Sequence, residues 1–108
     1  MITRITKFQL LNEHRKRFSE FMQQFRDELI SVEGCQHFDV LQDKTDELSF
    51  QMYMIWDEDE KLEDFRVSDL NKLLIEKIEV FSGESPNSWT VETVFDPEVL
   101  KNQKSLFD

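Results

Sequence analysis

Residues 48–56, LSFQMYMIW, place Leu48, Phe50, Met52, Met54 and Trp56 on one side of an extended chain. Ser49, Gln51, Tyr53 and Ile55 fall on the other. A period of two is the period of a β-strand. Four consecutive acids, Asp57, Glu58, Asp59 and Glu60, stop the alternation. Beyond them the apolar spacing changes to that of a helix. A strand that hands over directly to a helix in mid-chain restricts the fold to a small set of mixed α and β plans.

The other segments follow from the same rule. Residues 2–10, ITRITKFQL, are rich in Ile, Thr and Phe and read as a first strand. Asn12 is the expected N-cap of a helix over 12–31, since Phe18, Phe21, Met22, Phe25 and Leu29 share one face. Gly34 closes the connection to a second strand over 36–43. Phe38 and Val40 lie on one side of that strand, and His37, Asp39 and Leu41 on the other. Residues 43–47 form a polar turn. After the third strand, Asp57 and Glu60 have the spacing of a capping box. Acids in a first turn also meet the positive end of the helix dipole. Ser68 or Asp69 breaks the second helix and caps a new piece, giving helices over 58–67 and 69–81. A loop over 82–88 leads to a last strand over 89–95, with Trp89, Val91 and Phe95 on one side. Asp96-Pro97 offers a cap and a proline first turn, so 97–103 reads either as a short helix or as a loose tail. The expected organisation is one domain over 1–96 and a tail over 97–108.

Composition narrows the function. With 108 residues, 39% hydrophobic and ten Phe, the chain has material for a single packed core. No apolar run approaches the roughly 20 residues of a membrane span. The first residues lack the apolar core of a signal peptide, so a cytoplasmic location is expected. The formal charge is −10, and residues 35–108 carry 18 acids against seven bases. A phosphate backbone is repelled by such a surface, so nucleic acid is not an expected partner. RNA-recognition motifs have the same order of strands and helices, and Phe8 and Tyr53 stand where those display aromatics. SFQMYMIW nevertheless lacks their basic residue and glycine.

The order β-α-β-β-α-β specifies a ferredoxin-like α+β fold, a four-stranded antiparallel sheet with two helices on one face. The second face of the sheet is not polar: Tyr53 and Ile55 point there, and Leu41 and Val94 are assigned to the same side. The economical cover for it is the same face of another copy, so a homodimer is expected.

Glu33-Gly34-Cys35, Phe38-Asp39-Val40, Phe50 to Trp56 and Glu60-Lys61-Leu62 together resemble the antibiotic biosynthesis monooxygenase family. Ser68 matches a serine common in its second helix. The resemblance covers about residues 3–95. It implies a dimeric α+β barrel and cofactor-independent oxygenation of a small aromatic or quinol-type molecule in an apolar barrel pocket. The chain departs from the pattern where many members carry an acid, here Met54, and histidines, here Phe65 and Leu70. The haem-degrading branch shares the fold but holds iron through a histidine on the second helix. Residues 57–81 contain none, and Ile75 stands about where it belongs, so the resemblance does not extend to haem degradation.

An oxygenase of this kind needs a greasy cavity with one or two polar groups. Trp56, Phe65, Met52 and Tyr53 are the candidate walls, and His37, Tyr53 and Arg66 the candidate catalytic groups. Each has a plainer reading. Trp56 and the Met52/Met54 pair also suit a core, Tyr53 a dimer interface, and His37 and Arg66 a solvated surface. No metal is expected: successive carboxylates on a helix diverge, and Cys35 with His37, even on one side, gives two ligands where zinc takes three or four. No cofactor is expected either. The rival reading is a non-catalytic dimer that binds a small apolar molecule, or only itself as an interaction protein, and the missing histidines favour it.

Overall fold

A computed structural model describes residues 1–95. Four strands, β1 (Ile2–Gln9), β2 (Cys35–Gln42), β3 (Ser49–Trp56) and β4 (Asn87–Glu92), form one antiparallel sheet in the order β2-β3-β1-β4. Helices α1 (Arg15–Leu29), α2 (Asp59–Arg66) and α3 (Asp69–Ser82) provide the second layer. This is the ferredoxin-like α+β plan, with the second helix in two pieces. The short helix or tail expected over 97–103 lies outside the described residues.

The core forms where the two periodicities meet. Phe18, Met22, Phe25 and Leu29 on α1, Leu62 and Phe65 on α2, and Leu74, Ile78 and Phe81 on α3 are buried. They face Ile2 and Phe8 on β1, Phe38 on β2, and Met52, Met54 and Trp56 on β3. Aromatic rings bridge the layers: Phe8 lies 5.5 Å from Phe18, edge on, and Phe25 lies 5.8 Å from Phe38. Phe8 is therefore under the helices while Tyr53 is on the opposite face, so the two do not share an RNA-stacking platform.

Asn12 does not cap the first helix. Leu10 and Leu11 donate their N–H groups to the carbonyls of Leu48 and Phe81, at 2.7 and 2.9 Å. That anchoring brings the chain into a 3-10 turn over Asn12–His14, and α1 starts only at Arg15 with no side-chain cap. The Asp57–Glu60 capping box is also absent. The Asp57 N–H is taken by the Gly34 carbonyl at 3.1 Å, and its carboxylate accepts from Gln36 Nε2 at 3.3 Å. Glu58 occupies the cap position without a side-chain hydrogen bond. Asp59 and Glu60 keep the favourable first-turn placement. Ser68 does cap α3: its Oγ accepts from the Asn71 N–H at 3.2 Å.

The last strand is shifted from 89–95 to Asn87–Glu92, and Val94 and Phe95 follow it as exposed residues. Its pairing with β1 sets Ser88 opposite Thr6 and Thr90 opposite Arg4. Thr6 Oγ1 and Ser88 Oγ are 2.9 Å apart, and Arg4 Nη1 donates to Thr90 Oγ1 at 2.9 Å. These polar pairs take the helix side, which turns Trp89 and Val91 to the open face. There they join Ile5, Tyr53 and Ile55 through the register Trp89–Ile5–Tyr53 and Val91–Thr3–Ile55. The open face is apolar as expected, but Trp89 and Val91 supply it rather than Val94. Among the described residues no helix is long and apolar enough to cross a membrane.

Candidate functional site

The four expected pocket residues are divided by the sheet. Met52 and Trp56 are fully buried on the helix side, and Phe65 meets them from α2, its ring 5.1 Å from that of Trp56. The Trp56 indole N–H is buried without a hydrogen-bond acceptor. Tyr53 points to the other face. Its hydroxyl lies 3.1 Å from His37 Nε2, and Asp39 Oδ2 lies 3.6 Å from the same nitrogen. His37 and Tyr53 therefore form a pair on the open face, separate from Trp56 and Phe65.

Cys35 and His37 do not share a side. An irregularity in the pairing between them sets Cys35 opposite Trp56 and His37 opposite Ile55. The thiol packs against the core, where burial pushes its pKa up and a contact to the His37 carbonyl only partly offsets this. A neutral thiol is a poor nucleophile. Among the described residues no three His, Cys, Asp or Glu side chains cluster as metal ligands would.

Arg66, the third candidate, lines a cavity of about 170 Å³ between the β1–β4 end of the sheet and the α2–α3 break. Met54, Phe65, Leu74 and Ile75 make its apolar walls, and Arg4, Thr6, Asn71 and Ser88 complete it. The break positions the polar groups. Ser68 starts α3 beneath Arg66, and Asn71 Nδ2 donates back to the Arg66 carbonyl at 3.0 Å. Arg66 Nη1 donates to Glu63 Oε1 at 2.9 Å. Burial, and then the neighbouring Arg66 charge, hold the Arg4 guanidinium below its usual range; Glu63 acts in the opposite direction. The cavity thus combines apolar side chains with two guanidiniums, one of them paired with Glu63.

Arg4, Thr6, Asn71 and Ser88 were not among the residues expected from the sequence. A signal for the first two exists in β1. Arg4 and Thr6 fall in phase with Ile2 and Phe8, the core-facing positions. A charged residue in that phase needs a partner or a space.

A larger recess of about 430 Å³ lies between α1 and β2, an edge strand. Phe18, Met22, Phe38 and Phe50 form its floor. Arg15 at its rim is already engaged by Glu47 at 3.2 Å. It is an open groove whose polar groups face solvent, whereas the smaller cavity sets the buried Thr6, Met54, Phe65 and Leu74 beside half-buried Arg4 and Ser88, with the exposed Arg66 at its mouth.

A four-stranded antiparallel sheet covered on one face by helices, the second of them split, defines the ferredoxin-like α+β class. Within that class, this chain belongs to the antibiotic biosynthesis monooxygenase family, whose sequence profile matches residues 1–77. No curated protein sequence matches the chain closely enough to count as a relative. Solved structures share its fold at low identity. SnoaB, a cofactor-independent oxygenase from Streptomyces nogalater solved as a mutant, has a TM-score of 0.77 at 8% identity, over 89% of this chain and 95% of that one. A conserved protein from Methanosarcina mazei Go1 gives 0.78 at 18%, over 85% and 91%. Rv0793 from Mycobacterium tuberculosis gives 0.78 at 9%, over 89% and 97%.

Proposed function

We propose that this protein is a monooxygenase-like member of its family. In this reading it binds a small electron-rich aromatic molecule of the quinol type in the cavity beneath the α2–α3 break, and promotes its reaction with oxygen without a cofactor. The observation that carries the reading is that cavity, lined by Met54, Phe65, Leu74 and Ile75 together with Arg4, Arg66, Thr6 and Ser88. A cavity of about 150 Å³ accepts one benzene ring, so 170 Å³ suits a single ring. A quinol supplies its own electrons. One oxygen atom enters at a ring carbon and the other leaves as water, giving a hydroxyquinone. The protein's part is to orient the ring and keep solvent away from the intermediate. Arg66 is the candidate catalytic group that lines this space. His37 and Tyr53 are assigned instead to the open face.

The open face leads to a second proposal, a two-fold homodimer. Ile5, Tyr53, Ile55, Trp89 and Val91 form a contiguous apolar surface, and an isologous contact covers it in both copies at once.

Oxygen uptake with a panel of single-ring quinols, beside the larger anthrones, tests the activity. Turnover above the spontaneous rate is expected for the single-ring compounds. It should fall at least tenfold in Ile75→Phe, which fills the cavity, with the fold checked by circular dichroism. Uptake no faster than without protein would overturn the reading. One observation favours the non-catalytic alternative: neither a histidine nor a carboxylate lines the cavity to take up a substrate proton. Binding of quinols without turnover is its signature.

A further inference from the structure

We propose that the cavity beneath the α2–α3 break takes its ligand as an anion. The ligand class is a single-ring compound bearing a carboxylate or an ionised phenol, its negative oxygen set between Arg4 and Arg66. This rests on the cavity being the binding site of the preceding proposal, and adds the charge of what enters it.

Two guanidiniums line one small space, and no carboxylate lines it with them. They are not equally engaged. Arg66 is neutralised in part by Glu63, at 2.9 Å. Arg4 donates to the Thr90 hydroxyl, a neutral acceptor. A guanidinium carries five N–H donors in a plane, so one bond to a hydroxyl leaves Arg4 with donors to spare. Its charge is retained across the working pH range. Glu63 is the one carboxylate that acts on Arg4, and it is bonded to Arg66, so two guanidiniums share a single negative charge. In a chain of net charge −10, that local excess of positive charge is not a general property of the surface.

The hydroxyls point the same way. Thr6 is only 3% exposed, and its Oγ1 lies 2.9 Å from Ser88 Oγ. One of the two hydroxyl hydrogens serves that bond, and the other remains to donate. An oxyanion accepts several hydrogen bonds and gives none, which is what two guanidiniums and a spare hydroxyl call for. Phe65 and Met54 supply the apolar surface for the ring. The plainer role for Arg4 is to clamp β1 to β4 through Thr90. Thr90→Val removes the clamp and keeps the charge. Arg4→Met removes both.

Calorimetric titration of the full chain with benzoate, neutral benzamide and cationic benzylamine tests the proposal. Benzoate is expected to bind at least tenfold more tightly than benzamide, and benzylamine not measurably. Arg4→Met should reduce benzoate to the level of benzamide, while Thr90→Val keeps the preference. Titration of 4-nitrophenol above and below its own ionisation separates phenolate from carboxylate recognition, and tighter binding of either anion than of its neutral form supports the proposal. Equal affinity for charged and neutral rings, no binding of any probe, or an anion preference that survives Arg4→Met would overturn it. These readouts need no oxygen. Quinol turnover that benzoate does not inhibit would sink this inference and leave the functional reading standing; anion binding without turnover would do the reverse.

Discussion

Gly34 and Asp43 show how much single residues decide. Gly34 sits at φ +92°, and a Cβ placed there would come within 2.5 Å of Lys61 Cβ. Left-handed backbone costs an ordinary residue about 1–2 kcal/mol, and the contact adds to it. Gly34→Ala is therefore expected to destabilise by at least that amount, as a lower midpoint in urea denaturation. Asp43 accepts the Thr45 N–H and hydroxyl, both at 2.8 Å, and the Asp46 N–H at 3.1 Å. These bonds hold its carboxyl below the usual range, with the Thr45 backbone bond foremost. The folded value lies below the unfolded one of about 3.9. The stabilisation is thus complete above that pH and is lost as pH falls through the folded value. In Asp43→Asn the melting temperature should drop at neutral pH, and the gap to the parent should close in acid. Gly34 was legible in the sequence as a turn residue. The wall it meets was not, because Lys61 is brought against it only by the packing of α2.

At the scale of elements, periodicity was the reliable guide and capping the unreliable one. The alternation in β3 and the apolar stripe of α1 both recur in the burial pattern. They report burial along the whole element, and no single contact can reverse them. A cap depends on one residue's backbone, and long-range hydrogen bonds fix it at Asp57 itself and, ahead of Asn12, at Leu10 and Leu11. Ser68 succeeded because the break it caps is local. Ser68→Ala should cost about 1 kcal/mol, whereas Asp57→Ala should leave α2 helicity unchanged and lose only the contact to Gln36. Circular dichroism with thermal melts distinguishes the two. The inversion of β4 was hidden for a related reason. Its apolar residues look like core until Thr6 and Arg4, on another strand, claim Ser88 and Thr90 for the inner side. The polar half of the cavity was unread for the same cause: it is assembled from four elements, and none of them announces it alone.

For the whole molecule, the apolar open face carries the expectation of assembly. Ile55→Lys places a charge in the middle of that surface, on a half-buried side chain remote from the helix-side core. Sedimentation equilibrium should show the parent as a dimer and the variant as a folded monomer. A parent that stays monomeric at micromolar concentration would refute the two-fold contact. The general plan of the fold was legible because its order of strands and helices leaves few alternatives; which side of the sheet holds the cavity was not, since aromatic residues lie on both.

Among the described residues β4 is attached to the sheet through β1 alone, and Ser88 on that strand is part of the cavity wall. Of the two edge strands it is the shorter, six residues against eight in β2. Fraying of this strand would admit a guest without disturbing a helix, so the pace of entry would be governed by how often that margin of the sheet comes undone. Its amide hydrogens should be the first of the four strands to trade with deuterated solvent, and a guest held against Ser88 should slow them.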